Sequence, residues 1–156
     1  MPNESPNLAE EKSIVWLKAT EIFSEGFSKC PRRKFSAIIV DQDNQVISIG
    51  YNGNIRGQEG HLCGNDICLR DSENIKSGQN LDVGCIHAEE NAILNCARQG
   101  KSCVGATIYV NGEPCKKCAA RIAQAGITRL IYQPTGYPDH GIPILEENNV
   151  EIIKIK

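Results

Sequence analysis

The sequence predicts an α/β fold, a three-layer α-β-α sandwich around a central mixed sheet of about five strands. Helical and strand-like stretches alternate in the order α-β-β-α-β-α-β, and a short added helix and a last strand close the chain. The first two strand-like runs flank a polar turn and read as a hairpin. At 156 residues the chain is expected to form one domain, residues 1–156, large enough to bury most of its apolar surface.

Taken in order, residues 1–10 read as a loose, flexible tail. Over residues 11–29, Val15, Ala19, Ile22, Phe23 and Phe27 trace one helical stripe. Residues 35–40 and 45–50 are apolar runs separated by Asp41-Gln42-Asp43-Asn44, a turn composition. Residues 51–84 are rich in Gly, Asn and Asp, and a segment of that length is expected to be functional or tied down. Across residues 86–98, Ala88, Ala92, Ile93, Leu94 and Ala97 fall at helical spacings, which places His87 and Glu89 in a first turn. A strand over 106–110 precedes Pro114, whose fixed φ suits the start of a helix over about 115–125. A strand over 129–132, a short helix over 142–148 and a strand over 150–155 complete the reading.

Composition excludes several classes. The formal charge is −2 and no strongly basic run occurs, which argues against a broad nucleic-acid surface. No apolar run is long enough to span a bilayer, and the polar start Met-Pro-Asn-Glu-Ser-Pro-Asn lacks the regions of a signal peptide. The eight cysteines have metal-ligand spacings, not those of a short secreted disulfide scaffold, so a reducing, cytoplasmic setting is expected.

His87-Ala88-Glu89 followed by Pro114-Cys115-Lys116-Lys117-Cys118 carries the chemistry. One imidazole and two thiolates suit Zn²⁺ by softness and geometry. A structural site closes its tetrahedron with four protein ligands, whereas three leave a position for water. Two thiolates cancel the charge of the ion and acidify that water less than neutral ligands would, so a local base becomes useful. Glu89 is the candidate: it can take a proton from the activated water and pass it to a substrate ring nitrogen. Both ligand sets are expected at helix N-termini, where free N–H groups and the dipole favour thiolate. The Ala88 N–H can face the substrate. Glu90 lies three residues after His87 and is expected to be a helix-surface or interface carboxylate. The alternative is a structural zinc knot closed by Cys85 or His61. His-x-Glu with Pro-Cys-x-x-Cys is a signature of zinc-dependent nucleobase deaminases, which favours catalysis.

The chain resembles the cytidine and deoxycytidylate deaminase superfamily, and within it the deoxycytidylate (dCMP) deaminases of phage and bacterial type. The resemblance rests on Gly50-Tyr51-Asn52-Gly53 with Arg56-Gly57, His87-Ala-Glu-Glu-Asn-Ala-Ile93, Gly105-Ala-Thr-Ile-Tyr-Val110, Pro114-Cys-Lys-Lys-Cys118 and Ala125-Gly-Ile-Thr-Arg-Leu-Ile-Tyr132. It implies hydrolysis of dCMP to dUMP and ammonia, a step toward thymidylate. It also implies that Asn52 faces the nucleoside sugar, although a turn asparagine before Gly53 is an equal reading. Arg32 or Arg33 is implied at the 5′-phosphate, against a reading as solvated surface charge. A hexamer is implied, with activation by dCTP, inhibition by dTTP with Mg²⁺, and a regulatory site near Asn54 and Arg56. The resemblance further implies a second, structural zinc held by Cys30, Cys63, Cys68 and Cys85, with His61 able to replace one thiolate. The expected compartment is the cytoplasm, or the host cytoplasm for a phage-encoded chain.

Other cysteine, aromatic and histidine positions read more plainly. Cys96 and Cys103 are expected to be packing residues, Trp16 a core residue or subunit contact, Tyr132 core, and His140 a loop residue. Two other functions share the motif or the metal: deamination of another cytosine nucleoside or nucleotide or of tRNA adenosine, and a non-catalytic zinc-stabilised interaction module.

Overall fold

The computed structural model describes residues 6–58, 67–76 and 84–156. Helix α1 (Pro6–Phe27) starts earlier than its apolar stripe. Residues 6–10, expected in the tail, are its first turns: proline supplies helical φ, and its missing N–H costs nothing where the ladder has not begun. Strands β1 (Ser36–Val40) and β2 (Val46–Tyr51) form the expected hairpin. Its turn is closed by Asp41 Oδ1, which accepts from Asp43 N and Gln45 N, both at 2.9 Å. Within the segment 51–84 lies a short helix, α2 (Leu69–Ser72), too brief to leave a periodic signature in the sequence.

Helix α3 (Ala88–Gln99) leads to β3 (Thr107–Val110), and α4 (Lys116–Gln124) leads to β4 (Arg129–Tyr132). Helix α5 (Ile142–Glu147) precedes β5 (Glu151–Lys154). The sheet order is β2-β1-β3-β4-β5; β1 pairs antiparallel with both β2 and β3, and β3, β4 and β5 run parallel. Five strands in a mixed sheet with helices on both faces match the expected architecture. The helices between parallel strands supply the crossovers that such pairing requires.

Alternation along the strands builds the two cores. Ile39, Ile108, Val110, Leu130 and Tyr132 face one side, where α3, α4 and α5 contribute Ala92, Cys96, Ile122 and Leu145. Ile38, Val40, Tyr109 and Ile131 face the other and meet Leu17 of α1, with Trp16 packed against them. Trp16 Nε1 also donates to Asn44 Oδ1 at 2.8 Å, tying α1 to the hairpin turn. Cys96, Cys103 and Tyr132 are core residues, as expected.

The contact between β2 and α3 places the functional residues. Ser48 Oγ donates to Ala92 O at 2.7 Å, Asn95 Nδ2 to Ile49 O at 2.9 Å, and Asn91 Nδ2 to Tyr51 O at 2.9 Å. The strand can come this close because Gly50 has no side chain. A Cβ there would lie 2.3 Å from Ala92 N and 2.4 Å from Ala88 O. Gly50→Ala is therefore expected to push α3 off the sheet and lower stability by about 2–3 kcal/mol or more, read from the urea midpoint at unchanged m-value.

Candidate active site

His87 and Cys115 are both helix N-caps with extended backbones, at φ −72°, ψ 155° and φ −69°, ψ 168°. They sit one position before the helices they were expected to lie within. The His87 side chain makes no capping bond, so its ring is available to the site. Cys115 Sγ accepts from Cys118 N at 3.5 Å, which draws the second sulfur into the same turn. Across the gap between α3 and α4, His87 Nδ1 lies 3.5 Å from Cys115 Sγ and 3.5 Å from Cys118 Sγ. A tetrahedral zinc with ordinary Zn–N and Zn–S bonds would set each such edge at about 3.6 Å. The donor set and its spacing thus fit that ion. Among the described residues, these three form the one group of three such side chains close enough to share a metal.

Electrostatics agrees with the geometry. The Cys115 thiol is lowered to about 4, chiefly by the hydrogen bond from Cys118 and, against the effect of burial, by His87. Cys118 is pushed upward because it donates to Cys115 and is buried beside Glu89. Hydrogen bonding to Cys115 raises His87 although burial opposes it. A metal ion would replace the protons these groups share.

The two neighbouring glutamates separate by environment. Glu89 is 6% exposed, and burial holds its carboxyl above the usual range, while His87 and the Cys118 thiol pull it back. Glu90 instead pairs with Arg121 Nε of α4 at 2.9 Å, joining the two helices that carry the site. The first helical bond of α3 runs from Asn91 N to His87 O at 2.8 Å, so the N–H groups of Ala88, Glu89 and Glu90 precede the ladder.

The family model for the cytidine and deoxycytidylate deaminase zinc-binding region matches residues 10–133. The chain belongs to this deaminase family. A probable deoxycytidylate deaminase of Drosophila melanogaster is 33% identical over 146 residues, 88% of this chain and 68% of the fly protein. ComE operon protein 2 of Bacillus subtilis is 40% identical over 116 residues, covering 72% of this chain but 54% of its own, so the chain spans about half of that relative. The crystal structure of dCMP deaminase from the cyanophage S-TIM5, in complex with dCMP and dUMP, superposes with a TM-score of 0.75 at 27% identity. That match covers 98% of this chain and 100% of the phage chain.

Around this deaminase centre the other candidate residues have definite places. Asn52 is buried, and its Oδ1 accepts from Ser28 Oγ at 2.5 Å and from Phe35 N at 2.9 Å, while Nδ2 donates to Arg33 O at 2.8 Å. Both lone pairs of the amide oxygen are used internally, leaving one N–H. Arg32 Nε pairs with Asp71 Oδ1 of α2 at 3.2 Å, and the Arg33 guanidinium lies 5.3 Å over the Phe35 ring. Arg56 Nη2 donates to Asn95 Oδ1 of α3 at 2.7 Å, and Asn54 is half-buried nearby in sequence. Cys30 and Cys68 are buried and Cys85 is half-buried. These three do not gather into a metal-sized group, and Cys63 and His61 lie outside the described residues.

Sequence reasoning missed the residues that hold the site from behind. Arg121, Asn91 and Asn95 carry no spacing signal, because their partners lie on other elements. Glu113 stands directly before Pro114, yet its role depends on residues 135–136, which follow two elements later. His140 is a loop residue as expected, but its backbone bridges Cys115 and its Nδ1 accepts from Ile142 N at 3.3 Å. Tyr137, in the same loop, has its phenol raised by burial and then by Asp139 and Cys115.

The Asn52 network predicts a structural penalty. Asn52→Ala leaves Phe35 N and Arg33 O without this partner and is expected to cost about 1–3 kcal/mol. Equilibrium urea unfolding measures it, and a loss under about 0.5 kcal/mol would contradict the assignment.

Proposed function

We propose that this chain is a zinc-dependent hydrolase that converts dCMP to dUMP and ammonia, supplying dUMP for thymidylate synthesis. The observation that carries the reading is a buried carboxyl, Glu89, beside a group that numbers three metal-binding side chains among the described residues. Similarity to the fly's probable deoxycytidylate deaminase and to the cyanophage enzyme in complex with dCMP and dUMP supports the choice of substrate.

His87, Cys115 and Cys118 would hold the ion. When bound, zinc supplies Lewis acidity, which makes a water nucleophilic near neutral pH. Glu89 does the proton work. It would take one proton from the attacking water and give it to the pyrimidine ring nitrogen as the water oxygen bonds to the amine-bearing ring carbon. It would then carry the second proton from that oxygen to the exocyclic amine, so that the C–N bond breaks, ammonia leaves and the oxygen stays as the carbonyl of the product. Its raised pKa suits both halves of the exchange, because a carboxyl that holds a proton more firmly is a better base. The N–H of Ala88, at the positive end of α3, is suited to the carbonyl oxygen of the base.

Arg32 or Arg33 would take the 5′-phosphate. The Arg32–Asp71 pair is substantially exposed, so a dianionic phosphate can displace Asp71 at little cost. The remaining Asn52 N–H is the group left for the sugar. A regulatory site for dCTP or dTTP with Mg²⁺ would lie at Asn54 and Arg56, where Arg56 already touches Asn95 of α3. Homohexamer formation, a cytoplasmic setting and a second zinc complete the reading. For the second zinc, the thiolates of Cys30, Cys63, Cys68 and Cys85 are the candidates, with His61 as a replacement for one of them.

Glu89→Gln is expected to retain zinc and lose at least about 10³-fold in turnover. Unchanged turnover would overturn the enzymatic reading and favour a non-catalytic module. Ammonia release across cytosine, cytidine, dCMP and dCTP should be fastest with dCMP; faster turnover of cytidine would reject the nucleotide assignment. Metal analysis is expected to find two zinc ions per chain, and a Cys118→Ser variant should retain one.

A further inference from the structure

Glu113 makes a contact that neither the metal chemistry nor the substrate reading uses. Its carboxylate accepts from Thr135 N, at 3.1 Å to Oε1 and 3.0 Å to Oε2, from Thr135 Oγ1 at 2.5 Å, and from Gly136 N at 3.2 Å. One charged group thus gathers three donors of a single turn, and charge-assisted bonds of this kind are about twice as strong as neutral ones.

The same segment returns to the metal-ligand turn at its far end. Gly141 N donates to Pro114 O at 2.7 Å, His140 bridges the Cys115 backbone, and Lys116 Nζ pairs with Asp139 Oδ1 at 2.6 Å. Gly141 allows the approach, since a Cβ there would lie 2.4 Å from Ala119 Cβ and 2.7 Å from Cys115 O. Residues 134–141 are therefore fastened at both ends to residues 113–116, and Cys115 lies within the fastened stretch. The far end is held by backbone and packing, together with an exposed ion pair of small worth. Among these fastenings, the near end is held by one side chain, Glu113.

Taking the centre as that of a nucleotide deaminase, we propose that Glu113 is a positioning residue. It fixes residues 134–141 as a rigid wall of the substrate pocket, referenced to the same turn that carries Cys115 and Cys118. It acts on substrate binding and not on metal retention. Glutamine cannot replace it, because its amide offers one oxygen and turns an NH₂ toward donors.

The test compares Glu113→Gln, Thr135→Val and Thr135→Ser in the full zinc-loaded chain. Metal content, amide hydrogen exchange and steady-state kinetics with dCMP are measured. Glu113→Gln and Thr135→Val are expected to keep the wild-type zinc content. Their 133–141 segment should exchange at least about tenfold faster, and KM should rise about fivefold or more with a smaller change in kcat. Thr135→Ser keeps the hydroxyl and should behave as wild type. The double variant should be little worse than Glu113→Gln alone, since the hydroxyl bond lost in Thr135→Val is one of those that Glu113→Gln already disturbs. Unchanged exchange and kinetics in zinc-loaded Glu113→Gln would overturn the proposal, as would loss of zinc, which would make Glu113 a support of the metal turn. If the wild type does not deaminate dCMP, the substrate reading fails and exchange alone decides the clasp: faster supports it, unchanged rejects it. Should Glu113→Gln not fold, Thr135→Val carries the same comparison.

Discussion

Two helices that meet by their N-termini set the terms for everything else in this molecule. The caps of α3 and α4 bring an imidazole nitrogen to 3.5 Å from two sulfurs, in a region where partly positive N–H groups converge. The surroundings already favour the Cys115 thiolate, lowering it to about 4 through hydrogen bonds from Cys118 and His87, while Cys118 is pushed upward as the donor. With a divalent ion, the two thiolates are neutralised and the imidazole completes three corners of a tetrahedron. The sheet, the Gly50 contact and the Glu90–Arg121 pair all hold these two helix ends in register.

The adjacent glutamates show how environment divides labour between like residues. Glu89 is buried beside the ligand group, where desolvation raises its carboxyl above the usual carboxylate range. Glu90, one residue on, stays against an arginine and serves as a tie between helices. A residue's place on the first turn, and not its chemistry, decides which role it takes.

A similar economy governs the segment after β4. It makes no metal contact of its own, yet it is bonded to the residues on either side of Cys115. Small displacements of that segment would therefore pass to the turn that carries Cys115. Proximity of reacting groups depends on such supports, since displacements of about 1 Å are felt in catalytic rates.

Much of this was legible in the chain itself. Periodicity announced the order of helices and strands, because each element has an apolar face that repeats at its own spacing. The ligands and the acid were legible because they lie in two short local motifs, and helix starts are marked by caps and proline. The first helix begins at Pro6, earlier than expected, because the apolar stripe that marks it in the sequence starts only at Val15, and α2 has too few residues to show a period. For Asn52 the sequence leaves a sugar contact and a turn asparagine equally open, and it gives no sign that the amide oxygen accepts from Ser28 and Phe35, partners 24 and 17 residues away. Glu113 and Arg121 were invisible for the same reason: a hydrogen bond or ion pair between distant elements leaves no spacing in the sequence. The chemistry of the site was thus determined locally by residue type and order. Its supports were decided only when the sheet brought remote segments together, because those contacts depend on three-dimensional packing.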